Sequence, residues 1–108
     1  MMPSYRIHVR RLDAILADLS IEFIGLPADA QVRGRLMGPR CPGLSTIEIA
    51  YHLRPIEPPV YQVLIPEPTL WTPDRPYVYE GPVEWVKDGA KMGSMLISVA
   101  LKDPSEAA

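Results

Sequence analysis

Two carboxylates, Glu80 and Glu84, bracket the dipeptide Gly81-Pro82 and are the first residues to test for chemistry in this 108-residue chain. A pair of carboxylates beside a glycosidic bond can act as acid and base in its hydrolysis. The same two residues also fit a solvated strand face, and a small domain built of strands implies no deep cleft around them. We therefore expect no catalytic residue and no enzyme activity.

Cys41, His8 and His52 are the only cysteine and histidines in the sequence. A zinc site needs three or four converging ligands, and these three residues have no recognisable metal-ligand spacing. A cysteine nucleophile needs a thiol of lowered pKa, whereas Cys41 lies in a loop between Arg40 and Pro42 without a local signature. We expect an inert cysteine, solvent-exposed histidines, no metal and no cofactor.

Arginines are the residues best suited to an anionic ligand, because the planar guanidinium can bind a carboxylate or phosphate with two hydrogen bonds. Arg33, Arg35, Arg40 and Arg54 could gather on one sheet face. Cross-strand pairing with Glu48 would neutralise part of that patch. Salt bridges on solvated strand faces are the interpretation we favour for them.

Aromatic side chains offer a second kind of ligand site, since a ring face can pack against the apolar face of a sugar. Trp71 and Tyr77 could form such a stacking platform, although both also fit the role of core anchors, which we favour. The candidate ligand-binding set is therefore Trp71, Tyr77, Arg33 and Arg35.

Alternation of apolar and polar residues indicates the elements that must position these side chains. It predicts strands over residues 5–10, 14–24, 31–36, 45–54, 60–65 and 94–102. Residues 12–18 are ambiguous: Leu12, Ile15 and Leu16 fit a helical stripe, so a short helical turn near Asp13 stays open. Glycine- and proline-rich turns are predicted between the strands, including 38–43.

The segment from Pro68 to Gly89 organises the rest of the chain. Pro73 and Pro76 fix φ and lack an N–H, so this part must run as a rigid connector. Trp71 and Tyr77 flank the connector as anchors. Four side chains, Tyr77, Tyr79, Val83 and Trp85, can then share one face of a strand that is broken at Gly81-Pro82 and ends in a turn at Lys87-Asp88-Gly89. The predicted structural residues are Trp71, Pro73, Pro76, Tyr79 and Trp85.

Seven or eight strands at roughly ten-residue spacing are typical of an antiparallel β-sandwich. We predict an all-β, immunoglobulin-like sandwich, with one domain over residues 1–108, an ordered core over 5–102 and a frayed tail over 103–108.

The run LWTPDRPYVY, residues 70–79, resembles the LWSPE.P.LY segment of the immunoglobulin-like domains that flank the catalytic barrel in family 2 glycoside hydrolases. The resemblance extends over about residues 32–101 and takes in Val32-Arg33-Gly34-Arg35-Leu36. It implies an accessory, non-catalytic sandwich domain, because the catalytic glutamates of that family belong to a separate barrel that is not present here.

Composition excludes several classes of protein. Hydrophobic residues make up 47% and charged residues 22% of the chain, which predicts a folded domain, and a net charge of −2 argues against a nucleic-acid or membrane partner. No run approaches 18 apolar residues and the N-terminus lacks a signal peptide. A single cysteine allows no internal disulfide, so we expect a cytoplasmic protein.

These observations predict a module that works by association. A protein partner or a second copy would add to an edge strand, which we place at Val60 to Ile65 because Pro66 and Pro68 follow it. The alternative is a small-ligand or carbohydrate-binding module that uses Trp71 and Tyr77 with nearby arginines.

Overall fold

The computed structural model describes residues 3–103, which form eight strands and no helix. The strands are β1 (Ser4–Leu12), β2 (Leu16–Ile24), β3 (Gln31–Arg40), β4 (Ile49–His52), β5 (Arg54–Glu57), β6 (Val60–Pro66), β7 (Val78–Lys87) and β8 (Ala90–Val99). None of the described residues belongs to a helix that could span a membrane. Of the predicted tail, residues 104–108 lie outside the described part of the chain.

The strands form two sheets of four, in the orders β1-β2-β6-β5 and β4-β3-β7-β8. We call them sheet A and sheet B. All neighbouring strands are antiparallel. The prediction of an all-β antiparallel sandwich with seven or eight strands is therefore confirmed.

The inner faces of the two sheets pack together as one apolar core. In strand β2 every second residue is buried, so one face of the strand lies in the core. Burial of each large aliphatic side chain contributes about 1.5–3 kcal/mol to folding. Two tyrosine hydroxyls accept backbone N–H groups within the fold: Tyr61 from Val32 at 2.9 Å, and Tyr79 from Thr69 at 2.9 Å. Fully buried members of the core are Ala17, Leu19, Ile21, Leu36, Val63, Ile65, Ile97 and Leu101.

Strand β7 runs without interruption through Gly81-Pro82, so the predicted break there is wrong. Gly81 explains the continuity, because a Cβ atom on it would lie only 1.9 Å from the carbonyl oxygen of Arg35 on β3. The missing side chain lets β3 and β7 approach each other, and sheet B stays continuous.

The ambiguous residues 12–18 contain the turn between β1 and β2. The Asp13 carboxylate accepts the N–H groups of Ile15 at 2.8 Å and Leu16 at 2.9 Å. A short aspartate side chain that binds the backbone ahead of it favours a tight turn over a helix. The main prediction of a strand is confirmed from Leu16 onward, and there is no helical turn near Asp13.

The predicted strand over residues 45–54 is much shorter in the structure. Only Ile49–His52 forms β4, and Ile47, which alternation assigned to the buried face, is 90% exposed. The chain then leaves sheet B: Leu53 donates its N–H to the Gly34 carbonyl at 3.0 Å, and the next residue begins β5 in sheet A. The alternation of apolar and polar residues does not indicate that the chain passes from one sheet to the other.

Candidate functional site

Four strands lie at sheet edges, and two of them are long. Strands β4 and β5 have four residues each, whereas β1 has nine and β8 has ten. The passage of the chain from β4 through buried Leu53 to β5 closes one side of the sandwich. Strands β1 and β8 flank the other side, where the Ser98 N–H donates to the Tyr5 hydroxyl at 3.2 Å.

The edge that we predicted, Val60 to Ile65, is not an edge. This segment is β6, which lies inside sheet A and pairs with β2 on one side and β5 on the other. The sequence before it contains Pro55, Pro58 and Pro59 and gave no strand signal, so its neighbour β5 was not anticipated. Pro66 is the last residue of β6, where it interrupts nothing.

Strand β1 has the features with which natural proteins block pairing at an edge. It carries Arg6, His8, Arg10 and Arg11. It also has an irregularity in its pairing with β2 between Val9 and Arg11. Charged side chains and bulges at an edge oppose the addition of another strand.

Strand β8 has one charged residue, Lys91, and one irregularity in its pairing with β7, both near its first residues, and its pairing is regular from Gly93 to Val99. A two-residue turn starts it: Lys87 pairs with Ala90, and Asp88 and Gly89 between them have positive φ, as a type I′ hairpin requires. The predicted turn at residues 87–89 is confirmed. Residues 92–100, which we call the β8 edge, contain no charged side chain, and Leu96 at their centre is 61% exposed.

The backbone of the β8 edge points part of its hydrogen-bonding groups away from the sheet. Ser98 donates to Tyr5, so its N–H is directed away from β7. Because the direction alternates along an antiparallel strand, the N–H and C=O groups of Ser94 and Leu96 also point outward. Pro82, which has no N–H, lies opposite Leu96, as this pattern allows. The β8 edge therefore offers backbone donors and acceptors to another strand.

An apolar seam runs between β1 and β8. Tyr5 and Ile7 of β1 and Met95 and Val99 of β8 pack against the core but remain partly exposed. Val9 at the end of this row is 47% exposed. A strand that pairs with the β8 edge would bury part of this apolar surface. Removal of apolar surface from water favours association.

Three of the four predicted arginines, Arg33, Arg35 and Arg40, lie on β3 of sheet B, whereas Arg54 begins β5 in sheet A, so the four do not gather on one sheet face. Arg33 pairs with Glu84, which also lies 3.7 Å from the Lys91 ammonium, and the Arg33 hydrogen bond holds the pKa of Glu84 below its usual value. Arg35 lies opposite His52 and has no ion-pair partner among residues 3–103. These residues line an open groove of about 460 Å³. Arg33 and Arg40 thus form surface ion pairs, the interpretation favoured from the sequence, whereas Arg35 and Arg54 form none within residues 3–103.

Trp71 and Tyr77 lie elsewhere. Trp71 is half-buried, donates its N–H to the Leu101 carbonyl at 2.8 Å, and has the Lys102 ammonium 4.4 Å from its ring centroid. Tyr77 precedes β7, whose first residue pairs with Arg40, whereas Arg33 pairs six residues further along the strand. At roughly 3.3 Å per residue this separation is about 20 Å. The structure does not bring the aromatic and arginine halves of the predicted ligand set together.

The predicted structural residues lie in two places. Tyr79 and Trp85 are core residues of β7 with 1% and 8% exposure. Pro73 and Pro76 lie in the connector, where Thr72 and Arg75 form a turn through reciprocal backbone hydrogen bonds of 3.1 Å.

The candidate catalytic and metal residues are dispersed. Glu80 accepts a hydrogen bond from Arg40 at 3.2 Å, and Glu84 is held by Arg33. Four residues along one strand separate their Cα atoms by about 13 Å, and each carboxylate is bound to a different arginine. Cys41 is buried, and within residues 3–103 no three histidine, cysteine or acidic residues are placed to hold a metal.

Sequence reasoning did not single out residues 92–100 as an edge. Their lack of charge was visible in the sequence, but only the strand order shows that they lie at a sheet edge. No family model, curated protein or solved structure matches the chain.

Proposed function

We propose that this chain is a non-catalytic association module that binds a protein by adding a strand to the β8 edge. One observation carries the proposal: the β8 edge, residues 92–100, lies along a long edge strand and has no charged side chain, with Leu96 exposed at its centre. In strand addition, backbone hydrogen bonds supply affinity and alternate side chains supply specificity. Ser94 and Leu96 provide both outward-pointing backbone groups and exposed side chains.

The other edges support this assignment by contrast. Strand β1 carries four basic residues and a bulge, and β4 and β5 are only four residues long. Short or charged edges are the usual protection against unwanted pairing. The β8 edge alone among the described edges is both long and uncharged.

The finer fold assignment is part of the proposal. The immunoglobulin plan has strands A, B, E and D in one sheet and C, F and G in the other. The order β1-β2-β6-β5 corresponds to the first sheet, and β3-β7-β8 to the second, with β4 added beside β3. Together with the resemblance of residues 70–79 to accessory domains of glycoside hydrolases, this order supports a carbohydrate-related context. Buried Cys41 as the single cysteine supports a cytoplasmic one.

Two substitutions at Leu96 test strand addition directly. Leu96→Pro removes an N–H that points away from β7, so it deletes a donor for an incoming strand without breaking the ladder of sheet B. Leu96→Thr is the matched control, because it removes the apolar side chain but keeps the N–H and a residue suited to strands. Urea unfolding checks that both variants fold.

The probe is a short fluorescent peptide of alternating valine and threonine, titrated with each protein while its anisotropy is measured. We expect a saturable rise with wild type and with Leu96→Thr, and loss of that rise with Leu96→Pro. Equal binding by the proline variant, or a wild-type chain that neither binds the peptide nor associates with itself, would overturn the proposal.

A further inference from the structure

We propose that the strand which adds to the β8 edge is β8 of a second copy of this chain, related by a two-fold axis at Leu96. The inference rests on the proposed function and names the partner. Joining two copies in this way would extend sheet B into one antiparallel sheet of eight strands. Such an interface uses the same surface on both copies and closes as a dimer.

The sequence of β8 supports a two-fold axis at this residue. Residues 94–98 read Ser-Met-Leu-Ile-Ser, which is nearly the same in both directions. Antiparallel pairing about Leu96 places Ser94 opposite Ser98 and Met95 opposite Ile97 of the second copy. Each residue would therefore meet one of like size and polarity, on the outer face for the serines and the inner face for Met95 and Ile97.

Charge also favours a second copy at this edge. Residues 92–100 bring no like charges together when paired with themselves. Self-pairing of β1 would instead place arginines against arginines, which is unfavourable across strands. Of the two long edge strands, only β8 can pair with the same strand of a second copy without opposing like charges. The two copies would therefore be joined through sheet B.

The backbone groups of the two copies match in the same register. Leu96 points its N–H and C=O outward, so the two Leu96 residues would exchange two hydrogen bonds. The Ser98 N–H, which now donates to the Tyr5 hydroxyl at 3.2 Å, would donate to the Ser94 carbonyl of the second copy. Tyr5 therefore acts as an internal competitor that satisfies this donor in the single chain.

Single cysteines placed along β8 test the register. The background variant Cys41→Ala removes the natural thiol, and Leu96→Cys, Ser94→Cys and Ser98→Cys are then made one at a time. Opposed residues of a hydrogen-bonded pair have Cα atoms about 5.5 Å apart, within the range for a disulfide. The two Ser94 residues would be about 13 Å apart, which is too far.

After mild oxidation we expect a disulfide dimer from Leu96→Cys alone. Ser94→Cys and Ser98→Cys should not cross-link alone, but an equal mixture of the two should give a mixed dimer. Light scattering of unmodified protein should show twice the 12.1 kDa chain mass. Stronger cross-linking of Ser94→Cys or Ser98→Cys with itself would overturn this register.

The outcome separates this inference from the proposed function. A chain that binds the valine–threonine peptide but stays at 12.1 kDa over the whole concentration series overturns the second copy and leaves strand addition standing. A chain that neither binds the peptide nor associates overturns both. A mass that keeps growing past the dimer shows open-ended aggregation and overturns the two-fold interface.

Discussion

The two long edges of this sandwich lie side by side and differ in almost every property that governs strand pairing. Strand β1 carries Arg6, Arg10 and Arg11 and an irregular register, whereas β8 has a regular register over residues 93–99 and no charge over 92–100. Both edges belong to the same fold and face the same solvent. The contrast supports our proposal that β1 is protected from pairing and that the β8 edge is open to a partner.

The comparison also shows what links the two edges. The Tyr5 hydroxyl, carried by the protected edge, accepts the Ser98 N–H of the open edge. A hydrogen bond of this kind contributes about 0.5–1.5 kcal/mol, and an incoming acceptor would have to replace it. The protected edge thus restrains pairing at the open one.

Making β8 resemble β1 should have the largest effect on association. Leu96→Arg would place two guanidinium groups opposite each other at the two-fold axis. The lost contact between the two leucines and the new like-charge contact should each weaken the dimer by about 1 kcal/mol. Together they should raise the dimer dissociation constant about 30-fold. Analytical ultracentrifugation at low salt measures that change.

Leu96→Gln is the control for this substitution, because it is polar but uncharged. The difference between the arginine and glutamine variants should shrink at 1 M salt, where the Debye length falls to about 3 Å. A difference that salt does not alter would contradict the like-charge contact at the axis.

Removing the link between the edges should have a smaller and opposite effect on association. Tyr5→Phe deletes the acceptor for the Ser98 N–H, so it should destabilise the single chain by about 0.5 kcal/mol and, because each dimer replaces two such contacts, tighten the dimer about fivefold. Urea unfolding at low protein concentration and sedimentation at high concentration measure the two effects.

Tyr61→Phe provides the matched control for Tyr5→Phe. The Tyr61 hydroxyl accepts the Val32 N–H at 2.9 Å in the core, away from both long edges. This variant should lose stability without any change in association. Tightening by both variants would show that general loosening, and not release of Ser98, is responsible.

The smallest expected effect is a pH dependence of the stability of the fold. It arises from one ion pair near each long edge. Arg33 lowers the pKa of Glu84 behind β8, and Arg11 lowers the pKa of Asp13 at the end of β1. Each carboxylate therefore stabilises the fold above its ordinary pKa, and this contribution is lost as pH falls through the lowered value.

Wild type should lose stability as the pH falls below 4.5, the ordinary value for Glu84. Glu84→Gln and Asp13→Asn should both have lower urea midpoints than wild type at neutral pH; the midpoints of Glu84→Gln should then fall less steeply than those of wild type below 4.5, and those of Asp13→Asn less steeply only below about 3.8. Identical pH profiles for wild type and both variants would show that neither ion pair matters for stability.

Much of the fold could be predicted from local signals. Leu19, Ile21 and Phe23 alternate with polar residues and are buried, because one face of a strand must turn to the core. The turn at residues 87–89 could be predicted in the same way, because Asp88 and Gly89 tolerate positive φ. These features depend only on residues close together in the chain.

The rest depended on contacts between distant segments. Val60 to Ile65 lost its predicted edge position because Arg54–Glu57, a proline-containing segment with no alternation, pairs beside it. Likewise, Arg33 lies about 20 Å along β7 from the strand end that follows Tyr77, because of the register between β3 and β7. The uncharged β8 edge became a candidate site only once the strand order placed it at a sheet edge.

The most direct test of the open edge is the hydrogen-exchange rate of the Leu96 backbone amide, followed by NMR as protein concentration increases. In dilute protein this amide faces solvent and should exchange far faster than that of Ile97, which points toward β7. As the dimer forms, the Leu96 amide should become protected in proportion to the dimer population. A Leu96 amide that keeps exchanging rapidly while the mass doubles would contradict pairing through β8.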